Sequence, residues 1–180
     1  LCFLEKHNEK NIISLLEKLG RLNNGCTKEA LTILLNKTNE NIRALALKNL
    51  AKLTDLSLLN LFFKCAKNDE STIVRREAVS AIGRLRHENA IPILIKLLND
   101  SDPKVIMQAI RGLLVFKNKP EIKEELKKLL SHPNESINEV INKELNNNKD
   151  TSNTTLKHDE YPDFLKNTIV HGDVQKVLTY

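Results

Sequence analysis

Six basic residues fall at spacings where their charges could act together: Lys48, Lys52, Arg76, Arg84, Arg111 and Lys143. If the segments carrying them are helices stacked side by side, these cations line up in a column. Such a column can track a phosphate backbone, neutralising charge and releasing counterions. The partner it suits is then duplex DNA, held through backbone phosphates rather than read through its bases. The same positions suit two plainer uses. Outward helix positions carry Lys and Arg in many helical proteins for solvation alone, and a basic groove also fits a protein or an acidic peptide. Base stacking has little to work with, because the chain has no Trp and few aromatic residues.

Catalytic chemistry finds no constellation. His7, His87, His132, His158 and His171 are scattered and share no ligand spacing, and Cys2, Cys26 and Cys65 lack any close pairing. Cys65 sits in the apolar run Leu61–Ala66 and reads as a buried free thiol. Glu124 and Glu125 lie beside Lys127 and Lys128, which is ordinary charge patterning on a solvated helix. There is no Gly-rich phosphate loop and no Gly-x-Ser-x-Gly elbow. No apolar stretch is long enough to span a bilayer, and the start at Leu1 carries no signal-peptide pattern. Catalytic, metal-binding and cofactor-binding residues are therefore expected to be none, in a reduced, cytoplasmic setting.

The elements that must position the cations come from an internal repeat. Ile42, Val74, Val105 and Ile137 are separated by 32, 31 and 32 residues. Four residues on stand Ala46, Ala78, Ala109 and Ile141; eight on, Leu50, Ile82, Leu113 and Leu145; eleven on, Leu53, Leu85, Phe116 and Asn148. Offsets of this kind stack on one face of a helix. An apolar set precedes each anchor: Leu31, Leu34 and Leu35; Leu94, Leu97 and Leu98; Leu126, Leu129 and Leu130. The second copy carries Phe62, Cys65 and Ala66 there, one residue out of step. Short polar turns separate the paired helices, with Pro103 and Pro133 suited to the first helical position. Ile12, Ile13, Leu15, Leu16 and Leu19 read as a further helix. On the second helix of each copy, Lys48, Arg111 and Lys143 point away from the apolar face at offset six. Lys52 and Arg84 follow at offset ten, and Arg76 stands at offset two.

The patterns Asn41-Ile42-Arg43-Ala44-Leu45-Ala46-Leu47, Ile73-Val74-Arg75-Arg76-Glu77-Ala78-Val79 and Asp102-Pro103-Lys104-Val105 resemble the HEAT repeat family in its short HEAT-like variant, over roughly residues 27–147. The resemblance implies an all-α, armadillo-like superhelix of about four helix pairs, with the second helices lining an extended concave surface. It also implies that Arg43 and Arg75, at offset one, bridge neighbouring repeats through acidic or carbonyl partners. Ile106 and Asn138 hold that place in the later copies, so the ladder is not continuous. HEAT-like DNA glycosylases need an aromatic-lined cleft with an acidic residue, and a Trp-free chain speaks against that activity.

Residues 1–150 hold 25 Lys/Arg against 19 Asp/Glu, so the basic excess belongs to the helical part. Residues 148–160 are a polar linker by composition. Beyond it, Asn167, Ile169, Gly172, Asp173 and Leu178 match an Asn-x-Ile-x-x-Gly-Asp-x-x-x-x-Leu stretch. This tail, 161–180, resembles the opening of an amino-group DNA methyltransferase domain, of the class that modifies N6 of adenine or N4 of cytosine. That resemblance implies a fragment: the N-terminal DNA-binding accessory domain of a restriction-modification type methyltransferase. S-adenosylmethionine would then be the cofactor of the parent and not of this stretch. The run Gly172–Leu178 is also similar to the second-helix entry of an ankyrin repeat, or could be a last irregular helix. The expectation is a solenoid over 1–147 that binds and does not catalyse. Duplex DNA or a protein partner remain the alternatives, the second as an interaction scaffold.

Overall fold

The computed structural model describes residues 9–19 and 25–150 of the chain. All regular structure among them is helical. The α-helices are α1 (Glu9–Lys18), α2 (Gly25–Leu34), α3 (Glu40–Leu50), α4 (Leu59–Asn68), α5 (Thr72–Arg84), α6 (Ile91–Leu97), α7 (Pro103–Leu114), α8 (Pro120–Lys127) and α9 (Glu135–Asp150). Two compact units divide the chain, Leu1–Glu139 and Val140–Tyr180. The layers described next belong to the first, and α9 runs across the division.

Local chemistry sets where the helices begin. Asn39 stands ahead of α3 in an extended conformation, and its side-chain oxygen accepts the N–H groups of Asn41 and Ile42. Asp102 does the same for Lys104 at the start of α7, where Pro103 gives up no hydrogen bond that a first turn would have made. Pro120 occupies that place in α8. Pro133 does not: α9 starts two residues later at Glu135, and Asn134 accepts the N–H of Ile137 instead.

The repeat anchors build the core. Ile42, Val74, Val105 and Ile137 are fully buried, as are Ala46, Ala78 and Ala109 four residues on, and Leu50, Ile82 and Leu113 eight residues on. Small alanines in the middle of this face let neighbouring helices approach. The second helices α1, α3, α5 and α7 pack side by side in one layer, and α2, α4 and α6 pair with α3, α5 and α7 to form the other. Phe62, with no exposed surface, is buried on the inner face of α4, a helix that runs on to Asn68 and leaves only residues 69–71 before α5. The fourth copy departs from expectation. After Lys127 the chain tightens into a 3-10 turn, Lys128–Ser131, whose shorter period rotates Leu130 off the apolar face to 38% exposure. Ile122, one turn before Leu126, is buried instead.

Residues 148–150 continue α9, so the first part of the expected linker is helical. The methyltransferase-like stretch from Asn167 to Leu178 lies outside the described residues.

An ion pair ties α2 to the turn ahead of α4. Lys28 Nζ lies 2.5 Å from Asp55 Oδ2 and 2.8 Å from Ser57 Oγ, while Asp55 Oδ1 accepts the Ser57 N–H at 2.9 Å. The Lys28 ammonium, with Ser57 behind it, holds the Asp55 carboxyl at about 2, below its ordinary 3.8. A carboxylate depressed in the folded state stabilises above its ordinary pKa, and the contribution disappears as pH falls through the folded value. Both side chains are 35% exposed, so the effect is under about 1 kcal/mol. Urea titrations should find Lys28→Met less stable than the parent at about pH 6. The gap should close between about pH 4 and pH 2; a gap that persists at the acid end would remove this assignment.

Candidate binding face

The repeat offsets that bury the core also sort the opposite side of the second helices. Offset minus one holds Asn41, Ile73 and Lys104; offset two, Ala44, Arg76 and Met107; offset three, Leu45, Glu77 and Gln108; offset six, Lys48, Ser80 and Arg111. These columns line two grooves. The first, about 380 Å³, runs between α1, α3 and α5: Ile13, Glu17, Leu45 and Lys48 face Ile73, Arg76 and Glu77 across it. The second, about 490 Å³, runs from Arg76 on α5 across Met107, Gln108 and Arg111 on α7 to Asn134 and Ser136. Arg76 belongs to both and stands on the ridge between them. Its Nη2 lies 3.1 Å from Glu77 Oε1.

Three of the six sequence-selected cations therefore meet at the grooves: Lys48, Arg76 and Arg111. Arg84 is exposed further along α5 and lines neither groove; Lys143 is exposed on the part of α9 that belongs to the second unit. Lys52 serves another purpose. Its Nζ donates to Leu19 O at 2.5 Å and to Asn49 Oδ1 at 2.7 Å, and buried Asn49 in turn donates to Leu16 O at 2.9 Å. The last carbonyls of a helix have no partner of their own. Asn49 satisfies one of them at Leu16 and Lys52 takes the carbonyl of Leu19 just past the helix, so together they fasten α1 to α3. Two of the three ammonium protons are committed there, to neutral acceptors that leave the positive charge in place.

Arg43 and Arg75 form the bridges between repeats. Arg43 grips Asp69 with Nε and Nη2 at 2.9 and 2.8 Å, while Nη1 donates to the carbonyls of Lys37 and Thr38 in its own turn. Arg75 repeats the figure one copy later with Asp100, at 2.9 and 3.1 Å, and with the carbonyls of Asp69 and Glu70. A planar guanidinium fork matches a carboxylate edge-on, leaving one more nitrogen for backbone. Hydrogen bonding to Asp69 raises the Arg43 pKa above its ordinary value and outweighs its burial; Asp100 does the same for Arg75. In the third copy Ile106 is buried apolar surface, and in the fourth Asn138 reaches only its own turn, at His132 O.

Comparison with known proteins agrees with this geometry. Residues 27–113 match the family model for HEAT repeats. That stretch is similar to HEAT repeats. A chain from the CpcE–CpcF complex of phycocyanin lyase of a Nostoc species shares 23% identity and a TM-score of 0.57, with 76% of this chain and 96% of that chain covered. A computationally designed armadillo repeat protein for modular peptide recognition shares 24% identity and a TM-score of 0.51, covering 77% and 68%. No curated protein sequence matches. The likenesses establish the fold: an all-α repeat solenoid of HEAT and armadillo type.

No cluster of three metal-binding side chains occurs among the described residues. No described helix is long and apolar enough to cross a membrane. The residues that reading for charge missed are the apolar ones in the grooves, Ile13, Leu45, Ile73 and Met107, together with Lys104. The signal was available. Ile73, at 40% exposure, is a large aliphatic residue at offset minus one, where Asn41 and Lys104 are polar.

Proposed function

We propose that this chain is a non-catalytic HEAT-repeat scaffold that holds a segment of another protein across its second-helix face. The observation that carries the reading is the pair of adjoining grooves, which combine exposed apolar surface with unsatisfied donors on a rigid helical layer. Such a mixture suits a protein segment, whose side chains alternate in character. It suits a phosphate backbone less well, because Glu17 and Glu77 stand in the first groove beside Lys48. Selection of a displayed random peptide library on the full chain tests it. The expected result is a family of bound peptides whose affinity falls at least tenfold with Ile73→Asp. That side chain is exposed, so the substitution leaves the fold intact. Absence of any enriched family, or binding indifferent to Ile73→Asp, would sink the proposal.

A second reading, duplex DNA, draws on the exposed cations Lys48, Arg84, Arg111 and Lys143, on the half-buried Lys52 and Arg76, and on the methyltransferase-like tail. In that reading the parent uses S-adenosylmethionine and the solenoid grips the backbone. Arg84 separates the two, since it lines neither groove. A phosphate track loses affinity and part of its salt dependence with Arg84→Glu, whereas a peptide held in the grooves does not notice.

A further inference from the structure

We infer that the held segment is an extended, acidic peptide read in two places: an apolar side chain in the first groove and a carboxylate in the second, about three residues away. The inference rests on the scaffold reading and adds the chemistry of the partner.

The two grooves differ in their charge balance. In the first, Lys48 and Arg76 are matched by Glu17 and Glu77, and Ile13, Leu45 and Ile73 supply the floor. In the second, Arg76, Lys104 and Arg111 face the single carboxylate of Asp102. That carboxylate is already engaged, accepting the Lys104 backbone N–H at 2.8 Å. Arg76 is turned to Glu77 on the first-groove side. Arg111 meets only the neutral Gln108 amide, with Nη1 at 3.3 Å from Oε1, and the exposed Lys104 ammonium has no partner. Two cations are thus left uncompensated above Met107 and Pro103. Fixed donors beside apolar surface favour an anion that can bring several acceptors at once, and a side-chain carboxylate does so.

Spacing follows from the layer. Adjacent packed helices lie about 10 Å apart, and an extended chain advances about 3.3 Å per residue, so one groove pitch spans about three residues. Neither groove is enclosed enough to swallow a helix end-on, and both open onto Arg76. A continuous strand crossing that ridge reaches both.

The test uses the displayed random peptide library on the parent chain, on Lys104→Glu/Arg111→Glu, and on Ile73→Asp. All three positions are exposed, and matching circular dichroism checks that each variant folds. Peptides selected on the parent should carry Asp or Glu at a fixed distance of about three residues from an aliphatic or aromatic position. Against the double variant those peptides should bind at least tenfold more weakly, and fresh selection should replace the acid by Lys or Arg while keeping the apolar position. Against Ile73→Asp the apolar preference should vanish and the acidic one survive. Selected peptides without an acidic preference, or with one unmoved by charge reversal, overturn the inference while leaving the scaffold in place. No enriched peptides on the parent overturns both.

Discussion

Arg43→Ala is expected to destabilise the chain by about 3 kcal/mol, the scale for breaking a buried ion pair from one side. The side chains of Arg43 and Asp69 are 9% and 13% exposed, so water cannot replace what is lost. Four hydrogen bonds go at once, two to Asp69 and two to the carbonyls of Lys37 and Thr38. The damage lies mainly in what is left behind: a carboxylate out of water and two carbonyls without donors. Arg43→Met keeps the aliphatic bulk and should still cost nearly as much. Adding Asp69→Asn to it should restore a good part, because the stranded charge is gone while the Asn oxygen can still accept the Ser71 N–H. Urea unfolding of the parent, Arg43→Met, Asp69→Asn and the double variant measures the coupling. Additive losses would mean that the pair holds nothing together.

The second large effect is expected at Gly112. A Cβ built there meets both methyls of Leu94, at 3.0 and 3.1 Å, and lies 3.4 Å from the Cα of Gly83. One at Gly83 comes 3.2 Å from the Gly112 Cα, which is backbone and cannot swing aside. The two glycines are where α5 and α7 touch. Gly112→Val would push into fully buried Leu94 and force the helices apart, at about 3 kcal/mol. Gly112→Ala should come out smaller, near 1 kcal/mol, because alanine recovers up to about 1 kcal/mol of helix propensity. Gly83→Ala and Gly112→Ala combined should cost less than their sum, since helices already separated by the first accept the second. Thermal melts decide it: a Gly112→Val protein as stable as the parent would show that α5 and α7 do not depend on this approach.

The parts of the structure legible in the sequence are those fixed by period. Anchors at 42, 74, 105 and 137 are all buried, and the arginines at offset one bridge repeats as the HEAT resemblance implied. What failed was local. Pro133 sits before its helix and not within it, because Asn134 supplies the cap; Leu130 turns outward because a 3-10 turn has a different period. The hydrogen bonds of Lys52 could not be read ahead, because Leu19 O lies 33 residues away and only the packing of α1 on α3 brings it within reach. Charge drew attention to one column of the binding face. The apolar members escaped notice because an exposed isoleucine carries no signal until its neighbours are known.

The fastening of α1 has a consequence for affinity. One wall of the first groove, with Ile13 and Glu17, is α1 itself, and that helix is held by Ile12, Leu16 and the polar clasp of Asn49 and Lys52. A helix held on so small a seat opens locally at lower cost than the closely packed α3, α5 and α7. Each moment it spends undocked is a moment in which the first groove has no wall. The observed dissociation constant for anything seated there is the intrinsic one divided by the docked fraction. By the same linkage, an occupant of the groove slows amide exchange along α1, so the ligand and that helix order one another.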